Sequence, residues 1–222
     1  MTDRGITSTA EFKTIVATVD GQRGSLQLHR PDKLNPLSSQ TMHEIERAAR
    51  WFDEHHQLKV VVVSGAGRAF SAGADLSAFN ESAPMEDRHV GWRMARALEE
   101  MRAVTVARIH GWCVGGGVVV AAACDLRVAA QSARFSIPEV DIGIPLAWGG
   151  IPRLVREVGP VVAKELVMTC RPFDAAEAKA QDDQYGVILK LRTFRHGFGR
   201  IAAQTAKQVI LQRTRDAERE NV

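Results

Sequence analysis

Three short segments hold the residues whose types and spacing could do chemistry. Phe70-Ser71-Ala72-Gly73-Ala74-Asp75-Leu76 and His110-Gly111-Trp112-Cys113-Val114-Gly115-Gly116-Gly117 are small-residue loops, each following an apolar run and each opening toward a helix. Such loops expose backbone N–H groups, and beside a helix N-terminus these groups can converge on an anionic oxygen. Two donors aimed at one developing oxyanion stabilise thioester chemistry, and losing one costs roughly a hundredfold or more in rate. The third segment, Phe135-Ser136-Ile137-Pro138-Glu139-Val140-Asp141-Ile142-Gly143, supplies a carboxylate for proton transfer at Glu139. Alone, Glu139 reads as a surface carboxylate after a proline. Beside the two loops it reads as an acid/base whose pKa rises through desolvation in an apolar pocket.

Neighbouring polar residues read as structural. Asp141 is a turn or capping residue before it is a second acid, and His110 precedes a tight glycine. Asp75 and Asp125 read as partners of nearby backbone or as helix caps. Ser71 has no His/Asp partner at a spacing that would make it a nucleophile.

The elements that must position these segments alternate between strand and helix. Residues 14–19 and 24–29 alternate apolar and polar about Asp20-Gly21, a hairpin signal. Met42, Ile45, Ala49 and Phe52 recur at helical spacing behind Ser38 and Ser39, candidate N-caps. Lys59 to Ser64 is a fully apolar strand of the kind buried on both faces by flanking helices, and Val104 to Ile109 is a second apolar strand. A helix is expected over about 87–102. Gly115-Gly116-Gly117 should open into a buried helix over Val118–Ala123, with a short strand at Leu126–Ala129 and strand plus loop over 134–146. Helices are predicted from Trp148 to Val158 and from Val161 to Thr169, split by Gly159-Pro160. Asp174 to Ala180 starts another helix, which the polar run Gln181–Gln184 should interrupt. The alternation predicts an α/β fold.

Composition narrows the function class. The net charge of +3 is too small to call for a polyanion, so nucleic acid is not an expected partner. The basic excess sits in the last fifth, at Lys190, Arg192, Arg195, Arg200, Lys207, Arg213 and Arg215, and reads as a solvated helical face. Cys113, Cys124 and Cys170 are scattered among apolar neighbours. They fit neither a metal site nor a disulfide framework, and buried thiols in a reducing compartment are expected. Met1 to Phe12 lacks an apolar signal core and no window approaches a membrane span, so a cytoplasmic protein is expected. A nicotinamide-binding reading of the glycine triplet fails, because the Gly-x-Gly-x-x-Gly fingerprint and its downstream acidic residue are missing.

Taken in order, Ser71–Asp75, His110–Gly117, Ala123-Cys124-Asp125-Leu126-Arg127 and Gly149-Gly150-Ile151-Pro152-Arg153-Leu154 resemble the crotonase (enoyl-CoA hydratase/isomerase) superfamily from about residue 12 to 180. The resemblance implies a spiral of stacked β-β-α turns over residues 1–180 with a short, atypical helical C-terminal segment over 181–222. It implies acyl-CoA thioester chemistry in fatty-acid metabolism, with coenzyme A as part of the substrate and no separate cofactor or metal. It assigns the oxyanion hole to the amides of Ala74 and Gly116, with Glu139 as acid/base. Ala72, Ala74, Asp75, Leu76, Gly115 and Gly116 would follow the thioester and coenzyme A. Trp112, Ile144 and Trp148 read equally as acyl-pocket lining and as core. A homo-oligomer, trimer or hexamer, is also implied.

The family's hydratases use two glutamates. By residue matching, the first falls at Val119 and the second at Glu139. Two opposed carboxylates orient and deprotonate water well, and one carboxylate beside a valine does so poorly. Moving a double bond needs one base and an oxyanion hole. The family's 3,2-enoyl-CoA isomerases are similar to this chain in pairing an apolar first position with a glutamate at the second. Two expectations therefore stand: double-bond isomerisation with weak hydration, and a non-catalytic acyl-CoA binder. The family's strand and helices after Ala178-Lys179-Ala180 are replaced here by Gln181–Tyr185 and a short basic tail, which bears on closure of the site and on assembly.

Overall fold

The computed structural model describes residues 7–76 and 89–184. The expectations for the basic tail fall outside those residues.

Strand β1 (Thr7–Ala10) leads into the hairpin of β2 (Ile15–Asp20) and β3 (Arg23–Leu28), which turns at Gly21 in the left-handed region. The inward residues Ile15, Ala17, Val19, Leu26 and Leu28 are buried. Helix α1 (Ser39–Glu54) starts at Ser38, whose Oγ accepts from Thr41 N–H at 3.2 Å, and it buries Met42, Ile45, Ala49 and Phe52 against this sheet. Strand β4 (Val60–Gly65) follows, then helix α2 (Val90–Glu100) and strand β5 (Val104–Ile109). Strand β6 (Trp112–Val114) runs into helix α3 (Gly116–Ala123), and β7 (Leu126–Ala129) and β8 (Arg134–Ser136) come next. Helix α4 (Gly150–Thr169), strand β9 (Phe173–Asp174) and helix α5 (Ala175–Gln184) complete the described chain.

One sheet has the order β1-β2-β3-β4-β5-β7, antiparallel through β3 and parallel from β3 to β7. A second, smaller sheet pairs β6 with β8 in parallel and β8 with β9 antiparallel. The mixed α/β architecture is the one expected. The apolar runs are strands, as read: β4 and β5 are almost wholly buried. Helix α3 is apolar on every side and buried at every residue, so it is a core helix that needs no polar face.

Two local readings are corrected. Trp148 does not begin a helix. It and Gly149 are left-handed, at φ 56° and 71°, and α4 begins at Gly150. The break at Gly159-Pro160 is there as read: Gly159 is non-helical (φ 75°, ψ 164°) and divides α4 into two helical stretches. The polar run Gln181–Gln184 continues α5 rather than interrupting it, since polar residues break no helix when their N–H groups still find acceptors.

Candidate active site

The two small-residue loops are laced together by backbone. Ser71 N–H donates to Trp112 O (3.1 Å), and Val114 N–H donates back to Ser71 O (3.0 Å). Gly115 N–H continues onto Ser136 O (2.9 Å), so the second loop also holds the segment that carries Glu139. On the other side, Leu37 N–H donates to Gly73 O (2.8 Å) and Asp75 N–H to Leu37 O (3.2 Å). This exchange leaves the Ala74 amide between them without a backbone acceptor among the described residues. Gly116 is the first residue of α3, where an N–H has no intrahelical acceptor.

Close approach explains the glycines. Gly73, at φ 89°, packs so tightly that a Cβ there would stand 2.7 Å from Val114 O and 3.4 Å from the Gly116 nitrogen. The loop before Ala74 is therefore pressed against the amide of Gly116. Gly115 adopts φ 47°, ψ −109°, backbone that only glycine enters readily. A Cβ there would stand 2.4 Å from Glu139 Oε1. The structure thus brings Gly73–Ala74, Gly115–Gly116 and the Glu139 carboxylate into one place.

Glu139 is 7% exposed, and its Oε2 is buried with no hydrogen-bond partner among the described residues. Burial raises its carboxyl above the usual carboxylate range, and one backbone hydrogen bond opposes this only in part. A buried oxygen without a donor is costly for a purely structural residue and marks a candidate acid/base. Val119 is 2% exposed on α3. Its Cγ2 and the Leu146 side chain both crowd Gly150, where a Cβ would meet each at 2.8 Å.

The remaining candidates divide. Trp148 joins the cluster: its indole lies directly on Gly116. Trp112 is 44% exposed on β6 and Leu76 is 55% exposed. Ile144 is half-buried, its N–H donating to Glu139 O at 2.9 Å. Ala72 is half-buried and donates to Leu34 O (2.8 Å). Asp75 pairs with Arg30 at 3.5 Å, and Asp125 accepts from Thr105 N–H and Oγ1, both at 2.8 Å. Asp141 is exposed in the turn after Pro138. His110 Nε2 contacts Gly67 O at 2.7 Å, and Ser71 Oγ, fully buried, donates to Asn35 O (2.8 Å) while accepting from Gly73 N–H (3.1 Å). The three cysteines are buried thiols, none of them in a disulfide. Among the described residues, no helix is long and apolar enough to cross a membrane.

Asn35 escapes a sequence reading. Left-handed at φ 55° and 1% exposed, it donates from Nδ2 to Ala66 O (2.8 Å) and Ala69 O (2.9 Å) and accepts from Arg30 N–H (2.9 Å). It shapes the stretch that delivers Ser71–Ala74. The available signal was an asparagine before a proline in a loop, which is common to many turns.

The sequence matches the enoyl-CoA hydratase/isomerase family over residues 23–196. It is 34% identical over 172 residues to a short-chain-enoyl-CoA hydratase of Clostridium acetobutylicum, covering 76% of this chain and 66% of that one. It is 36% identical over 169 residues to a peroxisomal Δ(3,5)-Δ(2,4)-dienoyl-CoA isomerase of Arabidopsis thaliana, covering 69% and 61%. Among solved structures, an enoyl-CoA hydratase subunit of Geobacillus kaustophilus superposes with a TM-score of 0.72 at 36% identity, over 78% of this chain and 67% of that one. The chain spans just under two thirds, 66%, of the length of the hydratases it matches.

Proposed function

The chain belongs to the enoyl-CoA hydratase/isomerase family, and on that premise we propose that it is an enzyme that moves the double bond of an enoyl-CoA thioester. The observation that carries this reading is the buried Glu139 carboxyl, whose Oε2 has no hydrogen-bond partner among the described residues, lying against Gly115, next to the first amide of α3. With the thioester oxygen between the amides of Ala74 and Gly116, the Glu139 carboxylate takes a proton from C2 of a 3-enoyl thioester. The electron pair passes into a dienolate whose oxygen carries the negative charge between the two N–H donors. The resulting carboxylic acid returns the proton to C4, which leaves a 2-enoyl thioester and restores the base. Coenzyme A enters as part of the substrate and no further cofactor is required.

Hydration is the weaker activity on this reading. Water would need a second group to hold it, and Val119 fills that place with an apolar side chain packed toward Leu146 and Gly150. The same valine, with the Trp148 indole over Gly116, favours a second reading in which the chain binds acyl-CoA without turning it over. A trimer or hexamer is part of the family-based proposal; Val161 and Met168, 69% and 72% exposed on α4, supply apolar surface for a contact.

Assays of the purified protein with 3-enoyl- and 2-enoyl-CoA separate the readings. Isomerisation of the 3-enoyl substrate, lost in Glu139→Gln, is the expected result. Binding of both thioesters with no turnover of either would select the binder.

A further inference from the structure

We propose that Trp148 sets the size of the acyl group, closing the space beside the Gly116 amide so that short groups are favoured, and that a buried Arg153–Glu99 pair holds it there. This rests on Ala74 and Gly116 being the thioester cradle.

The indole occupies a seat made of two glycines from different helices. A Cβ on Gly91 of α2 would stand 2.1 Å from Trp148 Cδ1 and 2.3 Å from its Nε1. A Cβ on Gly116 of α3 would stand 2.2 Å from Cζ3 and 2.8 Å from Cη2. The five-membered ring therefore rests on α2, and the far end of the six-membered ring covers the residue whose N–H is the proposed donor. No other residue type at 91 or 116 leaves room for the ring. An acyl chain leaving a carbonyl at Gly116 toward α2 meets the indole, and a long one must turn aside or displace it.

The ring is held from behind. A tryptophan at φ 56° adopts a conformation that bulky residues avoid, and Gly149 beside it is also left-handed. Arg153 stabilises that turn: its Nη1 donates to Trp148 O (3.0 Å) and Gly149 O (2.9 Å), and its Nη2 to Glu99 Oε2 on α2 (2.5 Å). The Arg153 and Glu99 side chains are only 8% and 14% exposed, so the pair is poorly screened. Glu99 Oε1 also accepts from Arg156 of α4 (3.0 Å), which ties the same two helices a second time. Arg153 and Glu99 act through Trp148 and are positioning residues.

The test is calorimetric binding of coenzyme A, butyryl-CoA and decanoyl-CoA to the full chain and to Trp148→Ala, Gly91→Ala and Glu99→Gln. The wild type should favour butyryl-CoA, and Trp148→Ala should shift the butyryl-to-decanoyl ratio toward decanoyl-CoA by roughly tenfold or more, with coenzyme A affinity unchanged. Gly91→Ala keeps the tryptophan, adds a better helix former and evicts the ring, so it should move the same ratio even if Trp148→Ala folds poorly. Glu99→Gln should move it in the same direction by less. A ratio unmoved in both Trp148→Ala and Gly91→Ala, while thioesters bind more tightly than coenzyme A, overturns the acyl wall alone. Thioesters binding no better than coenzyme A in every protein overturns the cradle as well.

Discussion

Glu44 and Glu139 are withdrawn from solvent to almost the same degree, at 5% and 7% exposure, and they do opposite things. Burial by itself would raise the carboxyl of Glu44. It receives hydrogen bonds from Thr14 Oγ1 (2.6 Å), Thr14 N–H (2.8 Å), Lys13 N–H (3.1 Å) and Gln40 Nε2 (3.0 Å), and these outweigh burial and hold it below the usual range. Glu139 has the burial with a single backbone hydrogen bond to set against it and nothing on Oε2 among the described residues, so its carboxyl rises. A fully supplied carboxylate pins α1 to the sheet and is inert. An unsupplied one is costly to the fold and ready to exchange a proton. Depth alone therefore does not mark a site, whereas depth without partners does.

The comparison breaks most sharply at Glu139 itself. Glu139→Gln should cut isomerisation by roughly a hundredfold to ten-thousandfold, the usual worth of a positioned acid/base, measured as kcat on a 3-enoyl-CoA. Gly115→Ala comes next. The added methyl would collide with Glu139 Oε1 and sit at φ 47°, so the carboxylate must move, and a shift of about 1 Å can cost up to a hundredfold in rate. Glu44→Ala should leave kcat nearly unchanged but strand the two buried donors of Thr14. The cost is about 2 kcal/mol or more in denaturant unfolding, roughly 4–8 °C in a thermal melt.

The smallest effect lies in pH. A raised carboxyl keeps its proton longer in the folded protein, so its favourable share of stability is complete below the unfolded pKa and is lost as pH rises through the folded one. Glu44 has the opposite sign, and its share is present above the unfolded pKa and lost as pH falls through its lowered folded pKa. Melting curves across pH should therefore show Glu139→Gln gaining on the wild type toward alkaline pH and Glu44→Ala losing its deficit toward acid. Identical pH dependence in the three proteins would remove the distinction between the two carboxylates.

Much of the scaffold was legible because burial writes itself into composition. Val60–Val63 is apolar on both faces and can only be a central strand, Val104–Ile109 is apolar but for Thr105 and Arg108, and Ser38 announces α1. The two glycine-bearing loops were legible as loops. Strand β6 was not, because Trp112–Val114 is three residues long and follows a turn at Gly111 directly, too short for periodicity to register. Trp148 was misread as helical because what holds it left-handed is a guanidinium five residues later in the chain. Asn35 was missed because its role is to satisfy carbonyls at Ala66 and Ala69, some thirty residues away. Glu139 was visible as a candidate, but its want of a partner is a property of packing alone.

Solvent isotope exchange tests the proton-shuttle assignment most directly. The full chain is incubated with a 3-enoyl-CoA in deuterated water, and deuterium entering the acyl chain is followed by mass spectrometry, beside Glu139→Gln at equal saturation. A Glu139 base that trades its captured proton for a solvent deuteron before delivering it to C4 gives incorporation by the wild type and none above background in the variant. Equal incorporation in both, or neither incorporation nor 2-enoyl-CoA formation in a wild type shown to bind the thioester, would contradict it.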